Sequence, residues 1–241
     1  MWNKERPVYR NEWKYLISEP EYAAVRLRAS EILKPDPNGR GGSYMIRSLY
    51  FDDYWDSALE EKDMGVCFRK KYRIRVYNCS DSRIRLERKM KAGNYIHKDS
   101  APVSREEAEM LIQGDGEFLL LSKFPLCREF YVEHMCHVMR PKVIVDYERD
   151  AFILDEGTVR VTFDQHVRAA VLATDLFDSE LPCLEVLKPG TLVMEVKFTE
   201  FLPRLVRDLI PPGAAEFTAL SKYVLCRRKT EYLSGMAYWE E

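Results

Sequence analysis

Arginine and lysine recur at every second position in several stretches of the sequence. The clearest stretch is 71–77, in which Lys71, Arg73 and Arg75 alternate with apolar and aromatic residues. Successive side chains of a β-strand point to opposite faces, so these three cations would share one face. Arginine offers a planar fork of donors that fits phosphate oxygens, and it stays charged when water is partly removed. The pattern therefore indicates a surface that binds phosphate groups.

Other stretches combine cations with a single carboxylate on one face. The solvated side of an antiparallel sheet is the ordinary interpretation of any one of them. Several such faces in one chain favour an anion-binding site. The sparse carboxylates beside the cations suit Mg²⁺, which prefers oxygen ligands and usually also contacts substrate phosphates. A barrel wide enough to leave a lumen could hold this face inside. The residues that share such faces are Arg10, Glu12 and Lys14; Arg85, Glu87 and Lys89; Arg160, Thr162 and Asp164; and Glu195 with Lys197.

The spacing of apolar residues and the capping patterns predict the strands and helices that would position these side chains. Alternation with period two predicts strands at 9–17, 44–52, 70–78, 83–91, 142–154, 159–169 and 192–198. Ser18 with Glu21, and Ser104 with Glu107, form the capping-box pattern that begins a helix. The segments 117–139, 200–210 and 218–233 also have helical character. The predicted class is α+β, with a large curled antiparallel sheet or barrel and short helices between its strands.

Composition narrows the possible partners. The 241 residues, 46% hydrophobic and 32% charged, suit one globular domain over 1–241. A net charge of −2, from 37 basic and 39 acidic residues, excludes an overall basic field, so duplex nucleic acid is not expected as a partner. No apolar run approaches the roughly 20 residues of a membrane span, and no signal-peptide pattern begins the chain. The expected location is the cytoplasm.

The charged strands carry a resemblance to a known family. The chain resembles the VTC domain, named from the vacuolar transporter chaperone complex, within the triphosphate tunnel metalloenzyme superfamily. Each signature is short, but eight occur in the expected order from about Arg10 to Arg227. They are RNEWKY at 10–15, SLYFD at 48–52, KYRIRVY at 71–77, ERK at 87–89, DYERDAF at 146–152, VRVTFD at 159–164, MEVKF at 194–198 and SKY at 221–223.

The resemblance implies both a fold and an activity. The fold would be an eight-stranded antiparallel β-barrel tunnel with flanking helices and a C-terminal helix. The activity would be that of a polyphosphate polymerase, which moves the γ-phosphoryl group of ATP onto a growing inorganic polyphosphate chain with Mn²⁺ or Mg²⁺. Because polymerases of this family usually feed a membrane channel, the resemblance also implies a separate membrane subunit. The chain would then lie at the inner face of the membrane.

The resemblance also implies roles for individual residues. Glu195 would hold the metal, with Glu12 and Glu87 as further candidates, and Tyr147 would add a hydroxyl donor. Lys222, Arg149, Arg160 and Glu195 would form the catalytic set. The residues implied to bind phosphate are Lys14, Arg10, Arg73, Arg75, Lys89, Tyr147, Arg149, Arg160, Lys197 and Lys222.

One position departs from the superfamily pattern. Hydrolases of the superfamily carry Glu-x-Glu-x-Lys on the first strand, whereas here Arg10 precedes Glu12 and Lys14. The loss of one carboxylate weakens the case for a two-metal hydrolytic site, and it leaves Glu12 either as a metal ligand or as the salt-bridge partner of a cation. Two alternatives to the polymerase stay open. One is a triphosphatase acting on inorganic triphosphate or RNA 5′-triphosphate, and the other is a non-catalytic polyphosphate-binding module.

Overall fold

One antiparallel sheet contains every strand of the described residues, which in this computed structural model are 10–39, 42–93, 95–212, 214 and 220–236. Eight strands form a continuous path in the order β1-β10-β8-β7-β3-β4-β5-β6, while β2 and β9 pair beside it. The strands are β1 (Asn11–Ser18), β2 (Lys34–Pro35), β3 (Tyr44–Asp52), β4 (Phe68–Tyr77), β5 (Ser80–Ala92), β6 (Tyr95–Pro102), β7 (Arg140–Leu154), β8 (Val159–Ala170), β9 (Cys183–Glu185) and β10 (Thr191–Phe198).

The eight-strand path curls until its two edge strands meet. The backbone amide of Arg10, just before β1, donates to the carbonyl of Ile96 in β6 at 3.3 Å. Side chains also bridge the space enclosed by the sheet, because Lys89 on β5 reaches Glu12 on β1. The predicted α+β class and eight-stranded tunnel are therefore confirmed, with closure at the β1–β6 edge made by this single bridge among the described residues.

Six helices pack against the sheet in the described part of the chain. Both predicted capping boxes are present: the amide of Ser18 donates to Glu21 at 2.8 Å, and the amide of Ser104 donates to Glu107 at 2.7 Å. The helices are α1 (Glu19–Ile32), α2 (Ser57–Asp63), α3 (Arg105–Gln113), α4 (Pro125–His137), α5 (Arg204–Arg207) and α6 (Lys222–Met236).

Apolar side chains of the sheet explain the positions of the helices. Tyr15 and Ile17 of β1 pack with Val25 and Ala29 of α1 in one buried cluster on the outer face. A second outer cluster joins β4 and β5 to α3 and α4. A third cluster joins β3 and β7 to α6 on the inward face, because it contains Tyr147, which lines the interior. Burial of the outer face against helices leaves the charged side chains at alternate positions to line the interior.

Several elements differ from the sequence predictions for local reasons. The stretch 117–139 is a 3₁₀ turn, Glu117–Leu121, followed by α4, because Pro125 lacks the amide that would continue a helix and begins a new one. The predicted 200–210 helix is the single turn α5. Strand β6 was not predicted, since its polar sequence has no apolar alternation. The predicted strand start at 9 and helix start at 218 lie outside the described residues.

None of the helices described is long and apolar enough to span a membrane.

Candidate functional site

A cavity of about 430 Å³ runs inside the curled sheet and is strongly basic. Eleven of its twenty-one described lining residues are Lys or Arg, and two are Glu. The chain as a whole is slightly acidic, so positive charge is concentrated in this interior. A narrow, partly dry and basic lumen attracts a thin polyanion. The lining cations are Lys14, Lys62, Arg69, Lys71, Arg73, Arg75, Lys89, Lys91, Arg149, Lys197 and Lys222.

Glu195 on β10 is surrounded by cations from four elements, one of which is Arg149 of β7, 3.9 Å from its Oε2 atom. Lys14 lies directly opposite it on β1, and its Nζ atom is 3.7 Å from Glu195 Oε1. Lys222 on α6 donates to the same oxygen at 2.8 Å, and Lys197 donates to Oε2 at 2.6 Å. Burial opposes ionisation, but these cations outweigh it and hold the pKa of Glu195 well below its usual range.

Glu12 of β1 contacts cations further along the same face of the β1–β10 strand pair. It lies opposite Lys197 in the β1–β10 register. Its carboxylate is 3.0 Å from Lys89 of β5 and 3.1 Å from Lys14 of its own strand. Burial favours the neutral acid, yet Lys89 and Lys14 lower the pKa of Glu12 far below its ordinary value. Both carboxylates of the cavity are therefore ionised and shared among ammonium groups.

A second buried ion-pair group supports the wall of the cavity. Arg149 on β7 donates twice to Asp164 on β8, at 2.6 and 2.7 Å. Lys222 also contacts Asp164, at 2.5 Å, so it is held between two carboxylates. Arg149 and Lys222 lie over the ring of Tyr147, 5.1 and 5.0 Å from its centroid, and its hydroxyl accepts a bond of 3.0 Å from Arg75. Ring and carboxylates together fix these cations in place.

Glu87 is buried on the same face of β5 as Lys89 but lies outside the cavity lining. It accepts from Arg73 at 2.6 Å and from Lys98 at 2.9 Å. Burial raises its pKa, but Arg73 and Arg75 outweigh burial and leave the pKa strongly lowered. Tyr50 accepts a further bond from Arg73 at 2.7 Å. Arg73 is therefore aimed at the lumen by fixed acceptors.

Helix α6 brings Lys222 into the site. The hydroxyl of the next residue, Tyr223, donates to buried Asp52 at 2.5 Å. The same carboxylate accepts from the backbone amides of Ala58 and Leu59 at the start of α2, at 2.9 and 3.1 Å. Arg227, one turn further along α6, contacts Asp56 at 2.8 Å. Asp52 thus ties the helix that carries Lys222 to the loop between β3 and α2.

The structure separates the sequence-predicted residues into two sets. Lys14, Arg73, Arg75, Lys89, Tyr147, Arg149, Glu12, Glu195, Lys197 and Lys222 meet in the cavity lining. Arg160 lies outside it: its guanidinium contacts Asp36 at 2.6 Å and donates to the Tyr44 hydroxyl at 2.9 Å. Arg10 is exposed just before β1, and Glu87 is buried outside the cavity lining.

Four lining cations were not among the predicted site residues. Lys71 and Arg69 share the inward face of β4 with Arg73, so the alternation that identified the strand already contained Lys71. Lys91 continues the inward face of β5 beyond Lys89. Lys62 lies on α2, a helix that the periodicity did not predict. Its position depends on tertiary packing, and no sequence signal marks it.

The residues that could hold a metal are few. Among the described residues, no group of three His, Cys, Asp or Glu side chains is arranged for a metal ion. Glu12 and Glu195 both line the cavity, and Lys14 contacts both of them. Mg²⁺ is usually bound through one or two carboxylates together with substrate phosphates and water. The donor set therefore fits an ion only when phosphate oxygens complete its coordination.

The curled antiparallel sheet with a basic lumen defines a triphosphate tunnel fold. The chain belongs to the VTC domain family, whose sequence profile matches residues 9–230.

The chain is similar to solved structures at low sequence identity. HpAC1 from Hippeastrum, a candidate adenylyl cyclase described as having a dominant triphosphatase activity, is similar with a TM-score of 0.56 and 13% identity, over 92% of this chain and 96% of that chain. PH1819 from Pyrococcus horikoshii OT3 is similar with a TM-score of 0.49 and 12% identity, over 92% of this chain and 99% of that chain. No curated protein matches the sequence significantly.

Proposed function

We propose that this VTC domain is a polyphosphate polymerase, which transfers the γ-phosphoryl group of ATP to the end of an inorganic polyphosphate chain. The observation that carries the proposal is the ion pairing of carboxylates with lysines inside the cavity. Both lining carboxylates, Glu12 and Glu195, are occupied by ammonium groups and have lowered pKa values. Among the described residues, the lumen therefore offers many fixed cations but no carboxylate suited to act as a base. Such a site stabilises phosphoryl charge without activating water.

The ammonium groups that now contact Glu195 could bind phosphate oxygens instead. Phosphoryl transfer asks the protein mainly for in-line positioning and charge neutralisation. Lys14, Lys197 and Lys222 meet at the oxygens of Glu195. An entering triphosphate supplies new oxygens to these ammonium groups while Asp164 keeps Lys222 and Arg149 in position. Because the donors are fixed before substrate arrives, little reorganisation accompanies charge development.

Mn²⁺ or Mg²⁺ is part of the proposal. Glu195 with Glu12 would hold the ion, and it would neutralise charge on the transferring phosphoryl group. Glu87 stays bonded to Arg73 and Lys98, so we assign it to the positioning of Arg73. In the same proposal Arg149 and Lys222 contact the transferring group. Arg160 and Arg10, which lie outside the cavity lining, would contribute weaker phosphate contacts.

The acceptor distinguishes a polymerase from a hydrolase. The terminal oxygen of a polyphosphate chain is already anionic, whereas a water molecule reacts faster when a base orients or deprotonates it. No histidine lines the cavity among the described residues, and its two carboxylates are held ionised by cations. Arg10 occupies the place of the first motif carboxylate and is exposed. These features support a phosphate acceptor over water.

A triphosphatase is the second candidate, and the similarity of fold to HpAC1, described as a triphosphatase, is the observation that favours it. It would use the same cations with water as acceptor. A non-catalytic binding module is less well supported, because Glu195 and Lys222 are both present and in contact.

Incubation of the purified protein with ATP and Mn²⁺, followed by gel separation of the products, tests the proposal. A polymerase yields long phosphate chains and ADP. Orthophosphate without chains supports the triphosphatase, and tight polyphosphate binding without either product supports the binding module. A parallel reaction primed with short polyphosphate separates slow initiation from inability to elongate. Absence of chains in both reactions overturns the polymerase.

A further inference from the structure

Helix α4 presents an apolar side to solvent. Its inner side is buried, with Phe130 in the cluster that joins it to β4 and β5 and His134 next to that ring. At about 100° per residue, Val132 lies on the opposite side of the helix, flanked by Met135 and Cys136. Val132 and Met135 are 55% and 60% exposed, and Cys136 is exposed as well. The solvent side of a surface helix is ordinarily polar, so this side indicates a contact that the single chain does not make.

The apolar surface continues beyond both ends of α4. Before the helix, Leu120 and Leu121 of the 3₁₀ turn are exposed, and Leu121 is 92% exposed. After the helix, Val138 is exposed and has a left-handed backbone with a φ of 54°. Glycine or asparagine usually takes that conformation, which is strained for a β-branched residue. Burial of the valine side chain against a partner would offset that strain. The α4 face is defined as Leu120, Leu121, Val132, Met135, Cys136 and Val138.

Charges of opposite sign lie at the two ends of this face. Lys123 and Arg128, around the start of α4, are exposed and form no ion pair among the described residues. Asp115 and Glu117 are exposed acids that likewise form no ion pair in the described part of the chain. They lie beside the second half of α4, because the carbonyl oxygen of the residue before Asp115 is 2.8 Å from Nε2 of His134. One end of the face is therefore basic and the other is acidic.

This distribution of charge is complementary to itself under a two-fold rotation. If two copies of α4 pack antiparallel with Val132 on the axis, Arg128 of one copy lies level with Cys136 of the other, since both are four residues from Val132. Each position is then about 6 Å from the axis along the helix. The basic end of each copy meets Asp115 and Glu117 of the other copy, and the apolar side chains meet between them. Each favourable contact occurs twice in such an isologous pair.

We propose that the α4 face is the interface of a symmetric homodimer of this chain. Its apolar side chains supply the driving force, and the charges at its two ends select the antiparallel orientation. A lipid surface fits less well, because anionic headgroups attract Lys123 and Arg128 but repel Asp115 and Glu117. Helix α4 packs on the outer cluster of β4 and β5, and its residues lie outside the cavity lining. The inference is therefore independent of the proposed function.

Sedimentation velocity of the purified protein between about 1 and about 100 µM tests the proposal, because the fraction of dimer rises with concentration. Wild type should become dimeric within this range. Val132→Glu brings two carboxylates together on the axis and should raise the dimer Kd at least about tenfold. Since Val132 is exposed in the single chain, folding should be retained, as circular dichroism can verify. Leu27→Glu, at a 68% exposed position of α1, is the matched control and should leave the Kd near wild type.

An exchange of charges tests whether the partner is a second copy. Lys123→Glu with Arg128→Glu should raise the dimer Kd at least about tenfold, because acids then face acids across the interface. Adding Asp115→Lys with Glu117→Lys to the same chain restores opposite charges and should recover most of the affinity. A wild type that stays monomeric, a dimer that Val132→Glu leaves intact, or a failure of the exchange to recover affinity each overturns the proposal. A monomer that binds phosphatidylserine vesicles, and loses this binding in Val132→Glu, also overturns it and assigns the face to lipid.

Discussion

The Nζ atom of Lys222, at the start of α6, lies 2.8 Å from Oε1 of Glu195 in the middle of β10. Lys222 contacts Asp164 of β8 at 2.5 Å as well, so one ammonium group joins a helix to two neighbouring strands inside the cavity. The pKa of Lys222 is raised because Asp164 and Glu195 outweigh its burial. This contact makes the stability of α6 depend on the same charges that would bind substrate.

Replacing Glu195 with Gln should abolish metal-dependent turnover while much of the polyphosphate binding remains. The substitution removes a proposed metal ligand and keeps the surrounding cations. It also leaves Lys197 and Lys222 with less negative charge in a buried site, and removing one partner of a buried ion pair costs about 3–5 kcal/mol. Tm should therefore fall, and tripolyphosphate should restore part of it because the anion replaces the lost charge.

Turnover on a product gel and Tm with and without tripolyphosphate check this prediction. Glu180→Gln, which alters an exposed carboxylate, is the control and should change neither quantity. Full activity of Glu195→Gln would exclude Glu195 as the metal ligand. Loss of polyphosphate binding together with turnover would assign Glu195 to the arrangement of the cations instead.

Replacing Tyr223 with Phe should reduce both stability and activity. The variant loses the 2.5 Å hydrogen bond to Asp52, and hydrogen bonds to charged groups contribute about 1.5–3 kcal/mol. Since Lys222 is the adjacent residue on α6, its Nζ atom becomes less precisely placed. Tyr22→Phe is a matched control, because Tyr22 donates to Asp150 at 3.1 Å outside the cavity lining. It should lower Tm without lowering kcat, and an equal loss of kcat in both variants would contradict a positioning role for Tyr223.

Two arginines from the family signatures should differ in importance. Arg149 lines the cavity and is held by Asp164, whereas Arg160 lies outside the lining and contacts Asp36. Arg149→Met should lower kcat/KM by about 100-fold or more, the scale of losing a transition-state donor. Arg160→Met should lower it less than about tenfold. Equal losses, measured as initial rates over a range of ATP concentrations, would show that Arg160 reaches substrate directly.

Local signals in the sequence were sufficient for most of the wall of the cavity. The alternation in 71–77 and 194–198 placed Arg73, Arg75, Glu195 and Lys197 on the inward faces of their strands. The Ser18–Glu21 and Ser104–Glu107 pairs marked the starts of α1 and α3, because a capping box involves only residues three positions apart. Periods and caps are short-range properties, so one sequence reveals them.

The positions of residues that depend on contacts distant in sequence could not be predicted from such local patterns. Arg160 alternates as regularly as Glu195, yet its partner is Asp36, 124 residues away, and its side chain lies outside the cavity lining. Lys62 enters the cavity from α2, whose first backbone amides donate hydrogen bonds to the Asp52 carboxylate. Strand β6 has no apolar alternation, and its pairing with β5 is what makes it a strand. Each of these features depends on contacts that periodicity does not encode.

Polyphosphate binding should become weaker as the pH rises from about 6 to 9, and Lys71 is the main reason. Burial, with Arg69, Lys62 and Lys89 nearby, lowers the pKa of Lys71 to about 7, although Asp52 acts in the opposite direction. At pH 8 the unliganded protein therefore holds Lys71 mostly neutral. A bound polyanion stabilises the ammonium form and raises its pKa, so binding takes up a proton. Terminal phosphates, with a second pKa near 6, are already deprotonated at pH 8.

Titration calorimetry at pH 8 in two buffers of different ionisation enthalpy measures this proton uptake. Wild type should take up a substantial fraction of a proton per bound chain, and Lys71→Met should lose most of it. A smaller uptake should persist from Lys89, whose pKa burial lowers to about 8 against the pull of Glu12. Lys123→Met, at an exposed position, should behave like wild type. If Lys71→Met takes up as much of a proton as wild type, the uptake does not come from protonation of Lys71. That result would mean that the bound chain does not reach Lys71.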